Sequence, residues 1–253
     1  MDVIEKPTTE RALSLDFELK NRSGKDVIAI KDFNLTIGDR ILINGGNINI
    51  YYSDKVCILG KNGTGKTTLL KTILEHLKEP ETNQSIDLSP IKASASKFKI
   101  GTSVKIGYIS QEIQFDNEDG SILGVFQDYC NATETMRRTK LSRFRFIGED
   151  VFKKVGSLSG GERVKLRLAC LMEQEVNCII LDEPTNHIDI DTREVLEDAL
   201  NDYKGTLIFV THDRYFTNKL AKKIVAIEDS YLHEFAGNYD DYKQLHTAKD
   251  NLQ

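Results

Sequence analysis

The sequence has no apolar run approaching the roughly 18 residues needed to cross a bilayer. Its opening, MDVIEKPTTE, is polar and lacks the apolar core of a signal peptide. Any membrane contact is therefore expected to come through a partner. The cysteines, Cys57, Cys130, Cys170 and Cys178, show no CxxC spacing, which argues against a zinc ribbon or a redox pair. Cys57 and Cys178 sit in apolar stretches and are expected to be core thiols in a reducing, cytoplasmic compartment. A positive balance is missing too. The net charge of -5 argues against nucleic-acid binding over the whole surface and leaves room for a local basic patch.

What is present is a soluble, globular pattern of 253 residues, 40% apolar and 29% charged, enough for one large domain with a real core. LSLDFEL (residues 13–19) alternates apolar and polar, the mark of a half-buried strand. VIAIKDF and RILI continue in the same way between turn residues, so the first part reads as a small, mostly antiparallel sheet. KVCILG (55–60) is instead a continuous apolar strand that runs into glycines and then a helical stretch. CIILD, TLIFVT and KIVAIE follow, separated by helical segments, which predicts a parallel sheet covered on both faces. Residues 122–172 read as helical, and the polar residues 79–97, with Pro80 and Pro90, as a mobile surface insertion.

GKNGTGKT, residues 60–67, fits G-x-x-x-x-G-K-[ST] and lies between a predicted strand and a helix, the context that supports the motif. Gly60, Gly63 and Gly65 let the chain curl so that the N–H groups of Gly60, Lys61, Asn62, Gly63, Thr64 and Gly65 surround phosphate oxygens. The helix N-terminus adds partial positive charge. Lys66 is expected to reach the β- and γ-phosphates of ATP, and Thr67 to offer its hydroxyl to Mg²⁺. The apolar strand ending in Asp182 supplies the matching half, a carboxylate that holds Mg²⁺ through water. Glu183, one residue further on, is placed to orient or deprotonate the attacking water.

Three further segments narrow the class. YISQE places Gln111 after a strand, SLSGGERVKLRLA places two glycines at the start of a helix, and FVTHD places His212 after the strand that follows the acids. With these motifs in this order, the sequence resembles the ATP-binding cassette ATPases. LDEPTNHID, THDRYF and GNYDDY extend the resemblance to the ABC-F family of translation-associated ATPases, over roughly residues 3–242. The resemblance implies an α/β fold: a P-loop ATPase core with a parallel sheet, an N-terminal antiparallel β-subdomain and an inserted helical signature subdomain at about residues 112–172. It implies a leader at 1–12 following an interdomain linker, a cassette at 13–245 and a tail at 246–253. The arm insertion usual in first cassettes is absent between Gln111 and Leu158, so the chain reads as the second cassette of a longer protein.

Carried over residue by residue, the resemblance assigns Lys66, Thr67 and Thr68 to phosphate and Mg²⁺. Gln111 then senses Mg²⁺ and the γ-phosphate, Glu183 is the catalytic base and His212 contacts the γ-phosphate. Ser159, Gly160 and Gly161 serve the nucleotide held by a partner cassette, in the same full-length chain or in a weak head-to-tail homodimer. His187 is either a family contact or a structural turn residue. The ribosome and its RNA are the implied larger partner, with drug resistance by ribosome protection as one outlet. The alternative is the ATPase subunit of a membrane transporter, which shares the catalytic motifs. One departure stands out: TIGDR has Ile37 where transporter cassettes carry an aromatic that stacks on adenine, with Phe33 as a nearby substitute. Arg137, Arg138, Lys140, Arg143 and Arg145 put five positive charges in nine residues, either an RNA contact or a solvated helix face.

Overall fold

The computed structural model describes residues 22–78, 85–88, 90–186 and 188–250. The expected strand at 13–19, the leader at 1–12 and His187 lie outside the described residues. Along the chain run β1 (Asp26–Lys31), β2 (Asn34–Ile37), β3 (Arg40–Asn44), β4 (Ile48–Tyr51), β5 (Lys55–Gly60) and α1 (Lys66–Lys78). Then come β6 (Ser85–Leu88), β7 (Ile91–Ser94), β8 (Lys97–Ile100), β9 (Ile106–Ile109), α2 (Ile122–Gln127), α3 (Glu134–Ser142) and α4 (Gly160–Glu173). The chain continues through β10 (Cys178–Asp182), α5 (Ile190–Asp202), β11 (Thr206–Val210), α6 (Arg214–Leu220), β12 (Lys223–Glu228), β13 (Tyr231–Ala236) and α7 (Tyr239–Asp250).

The main sheet has the order β13-β12-β5-β11-β10-β9. All neighbours pair parallel except β13, which closes one edge antiparallel to β12. The inner strands are apolar between their ends because both of their faces are covered. On one face Val56, Ile58, Cys178, Ile180, Ile208 and Val210 pack with Leu69, Leu70 and Ile73 of α1. On the other, Cys57, Ile179, Leu181, Leu207 and Phe209 pack with the helices that follow β9. The expected core thiols are there: all four cysteines are buried, and burial pushes the thiols of Cys57 and Cys178 up to about 12.

The antiparallel part differs from expectation. It forms two sheets, β4-β1-β8 and β3-β2-β7-β6, where the sequence suggested one. Within the insertion read at 79–97, the described residues carry two regular strands. β6 and β7 form a hairpin with Leu88 opposite Ile91, and β7 pairs along β2. The alternation is short but present: Ala93 is buried while Lys92 and Ser94 face solvent. Pro90 hid it; its carbonyl accepts from the Gly38 N–H at 2.9 Å.

The order of the central strands builds the site. β5 and β10 flank β11, with Ile58 opposite Val210 and Val210 opposite Asp182. Three loops therefore leave the same carboxyl edge side by side, where open α/β sheets bind ligands. β9 lies on the far side of β10, with Ile109 opposite Leu181, so the segment carrying Gln111 leaves from that edge too. The helices α2 to α4 intervene between β9 and β10, each with a hydroxyl at its N-cap: Ser121, Thr133 and Ser159.

Candidate nucleotide site

The glycine-rich loop after β5 turns on residues that a side chain would disturb. Gly63 and Gly65 have φ of +76° and +101°, and a Cβ on Gly60 would stand 2.6 Å from the Thr64 hydroxyl. Inside the loop, the Lys66 ammonium donates to the carbonyls of Gly60 at 2.9 Å and Lys61 at 3.2 Å. Burial holds the Lys66 amine below its ordinary range, against the pull of Glu183 and Asp182 toward the charged form. From outside, the Arg40 guanidinium donates to the Gly63 carbonyl at 3.3 Å. A cleft of about 1030 Å³ opens beside the loop, bounded by Gly60–Thr64, Arg40, His212, the β12–β13 turn and Tyr239.

The acids stand at the end of β10. Thr67, in the first turn of α1, donates its hydroxyl to Asp182 Oδ1 at 3.0 Å, and the Tyr108 hydroxyl lies 3.5 Å from Oδ2. Asp182 is 2% exposed, and burial raises its carboxyl above the usual range despite these donors and the charge of Lys71. Burial and the neighbouring Asp182 push the Tyr108 phenol up to about 12, so it stays a donor. Thr67 Oγ1 and the Asp182 oxygens form a hard-oxygen set suited to Mg²⁺.

Glu183 begins the turn beyond the strand in the left-handed region, φ +53°, a conformation that costs a non-glycine residue energy. Its N–H is pinned to the Val210 carbonyl at 2.9 Å. One carboxylate oxygen is 3.3 Å from His212 Nε2, while the other, Oε2, is buried with no hydrogen-bond partner among the described residues. An unpaired carboxylate oxygen at this place suits a group that must accept a proton from water. The Thr185 and Thr211 hydroxyls, 2.6 Å apart, tie the turn after Glu183 to the turn that carries His212.

The structure thus brings Lys66, Thr67, Asp182, Glu183 and His212 to the same edge of the sheet, with Lys66 feeling the charge of both acids. It keeps others apart from them. Gln111 is exposed, two residues beyond β9. Ser159 caps α4 in a reciprocal capping box with Glu162, and Ser159 and Gly160 face solvent. Gly161 is buried against Thr192 of α5, where a Cβ would meet the threonine hydroxyl at 3.0 Å. Thr68 follows Thr67 in the first turn of α1, its carbonyl accepting from Thr72. Phe33 does not substitute for the missing adenine aromatic, because it is fully buried in the core beneath the antiparallel sheets. Tyr108 and Arg40 were not singled out from the sequence, since neither belongs to a motif and their contacts form only through strand order.

The sequence profile of the ABC transporter family matches residues 43–186, from β3 through the acidic turn. The chain belongs to that family. An ABC cassette binds ATP with Mg²⁺ and hydrolyses it, and the loop, the Thr67–Asp182 pair and the Glu183 turn fit that ligand. Among relatives, the ATP-binding protein YdiF of Bacillus subtilis is 37% identical over all of this chain and 38% of its own length. ABC transporter F family member 5 of Arabidopsis thaliana is 33% identical over 95% of this chain and 33% of its own. The ATP-binding protein Uup-like of Haemophilus influenzae is 34% identical over 91% and 48%. The chain therefore spans between a third and a half of the length of these relatives. Among solved structures, a chain of an inward-facing metal-chelate type ABC transporter aligns over 83% of both chains with TM-score 0.61 and 18% identity, a likeness of fold.

Proposed function

We propose that this chain is the second cassette of an ABC-F protein, a cytoplasmic Mg-ATPase that works on the ribosome, with protection of the ribosome from antibiotics as one outlet. The observation that carries the reading is where two ABC-F-like segments meet. Arg214 of THDRYF stands over the Tyr239 ring of GNYDDY at 5.5 Å. Both residues line the cleft beside the nucleotide loop, and Asn238 caps the helix that Tyr239 begins, accepting from the Asp240 and Asp241 N–H groups. The names of relatives in the F family support the same reading.

In this reading Glu183 takes the proton of the attacking water, and His212, on the same carboxylate, keeps it aimed. Ser159, Gly160 and Gly161 act on the ATP of a second cassette, because they stand on a different subdomain from the loop that holds this chain's own. Gln111 joins the metal and γ-phosphate when the subdomains close. The pairings within the chain favour the basic stretch as a solvated helix face over an RNA contact. Arg138 pairs with Glu134, Lys140 with Glu173, and Arg145 with Asp191 and Glu194, while Arg137 donates to the Ala132 carbonyl.

The test is co-sedimentation of the full-length protein with ribosomes. Glu183→Gln with ATP is expected to raise the ribosome-bound fraction over wild type with ADP, since hydrolysis no longer releases the closed state. Equal, background-level pelleting in both conditions overturns the ribosomal assignment and leaves the ATPase intact.

A further inference from the structure

Helix α5 grips both ends of α6. At the start of α6, Arg193 Nη1 donates to Asp213 Oδ2 at 3.1 Å. Near its end, Lys219 donates to Glu197 Oε2 at 2.8 Å. Arg193 and Glu197 are one helical turn apart and so share a face of α5. Glu197 is 2% exposed, and its other oxygen lies 3.6 Å from Arg193 Nε, too far for a hydrogen bond. The guanidinium's directed bond therefore goes to Asp213, and its flat face lies over the Tyr215 ring at 5.6 Å.

Asp213 is the residue after His212, and it is held on every side. Its second oxygen accepts from the Phe216 N–H at 3.0 Å, capping α6, and its own N–H donates to the Thr211 hydroxyl at 3.1 Å. Thr211 is tied in turn to Thr185, in the turn that follows Glu183. His212, 53% exposed, thus has its neighbours on both sides fixed while its ring meets Glu183. Of these holds, the Arg193 bond alone comes from α5, the helix whose first turn abuts the signature glycine Gly161 through Thr192.

We propose that Arg193 is a positioning residue for ATP hydrolysis: through Asp213 it fixes the His212 turn so that the imidazole lies on the Glu183 carboxylate. The proposal rests on the family's ATPase activity and does not depend on the ribosome. A guanidinium suits this place because one of its N–H groups satisfies one oxygen of a carboxylate whose other oxygen is already occupied by the helix cap.

The test is a double-mutant cycle on the whole chain, with Mg-ATP turnover and nucleotide affinity read together. Arg193→Met is expected to lower turnover about tenfold or more, within the range that small misplacements of a reacting group cost. Affinity for Mg-ATP should stay within about twofold, and Arg193→Lys should recover much of the loss. In a His212→Ala background Arg193→Met should cost less than about a further twofold, because its route of action is gone. Full additivity with His212→Ala, or unchanged turnover in Arg193→Met, overturns the proposal.

A second measurement does not need turnover. The His212 ring signals in a two-dimensional imidazole NMR spectrum, assigned by their loss in His212→Ala, should shift or broaden in Arg193→Met. An unperturbed His212 in a folded Arg193→Met overturns the proposal even if the chain alone turns over too slowly to assay. Wild type that fails to bind Mg-ATP would instead count against the ATPase reading and leave this NMR comparison standing.

Discussion

The Thr67 hydroxyl donates to the Asp182 carboxylate across 3.0 Å, joining the first turn of α1 to the end of β10. Residues 115 positions apart in the chain meet because β5 and β10 flank a single strand. The bond keeps the two oxygens proposed to hold Mg²⁺ side by side, at the price of a carboxylate that is 2% exposed.

That burial has a measurable consequence. With its folded pKa raised, Asp182 binds a proton more tightly in the folded chain than in the unfolded one. Its contribution to stability is therefore best at acid pH and is lost as pH rises through the folded pKa, leaving a destabilising charge at neutrality. Asp182→Asn should raise the Tm of the nucleotide-free chain at pH 7, by about 2–4 °C if about 1 kcal/mol is recovered. The gain should vanish at pH values low enough to protonate the wild-type carboxyl. A lower Tm for the variant at pH 7 contradicts this account.

Glu183 separates chemistry from folding in the same way. Glu183→Gln keeps the shape of the side chain and should retain ATP binding while turnover falls by about 10² to 10³, the scale of general-base loss. Glu183→Gly should be equally inactive, yet no less stable, because glycine adopts φ +53° without strain. Equal turnover in wild type and Glu183→Gln would remove Glu183 from the reaction.

Much of this was legible in the sequence, and the reasons differ by residue. The loop at Gly60–Thr67 and the acids Asp182 and Glu183 declared themselves because phosphate and metal binding need fixed residue types at fixed spacings. The continuous apolar strands gave away a sheet covered on both faces. Arg193, Tyr108 and Arg40 were silent, since each acts on a partner brought near by strand order. Phe33 misled for the opposite reason: sequence proximity to Ile37 does not reveal which face of the chain a ring takes, and this ring is fully buried. The acids that pair with the basic stretch, Glu173, Asp191 and Glu194, were equally silent, since they lie on other helices.

The base end of the nucleotide should be loosely read. Ile37 ends β2 half-buried, paired with Arg40 on one side and Ile91 on the other, and offers no aromatic plane. Without a stacking ring, worth about 1–3 kcal/mol per base, affinity for ATP and GTP should agree within about tenfold. Ile37→Tyr should raise affinity for both nucleotides. A hundredfold preference for ATP in competition binding with the wild-type chain would show that another residue selects the base.

The proposed division of the site between subdomains predicts a dependence on protein concentration. Lys66, Thr67, Asp182, Glu183 and His212 lie at one edge of the sheet, whereas Ser159 and Gly160 face solvent at the tip of α4. If those two close over a neighbour's ATP, one chain by itself holds the nucleotide but lacks the group that completes the site. Two copies can still pair head to tail, each lending its α4 N-terminus to the other. Such a homodimer should be weak, since the expected natural contact is with a different cassette, and micromolar dissociation corresponds to only about 8 kcal/mol. Specific ATPase activity should therefore climb as the chain is raised from about 0.1 to about 50 μM. Ser159→Arg should abolish the climb without changing ATP affinity, because a bulky charge at an exposed cap blocks the interface and leaves the chain's own loop untouched. Light scattering on Glu183→Gln with ATP should show dimer accumulating over the same range. A high rate that stays flat with concentration, from a species that scatters as a monomer throughout, would mean that the site is complete within one chain.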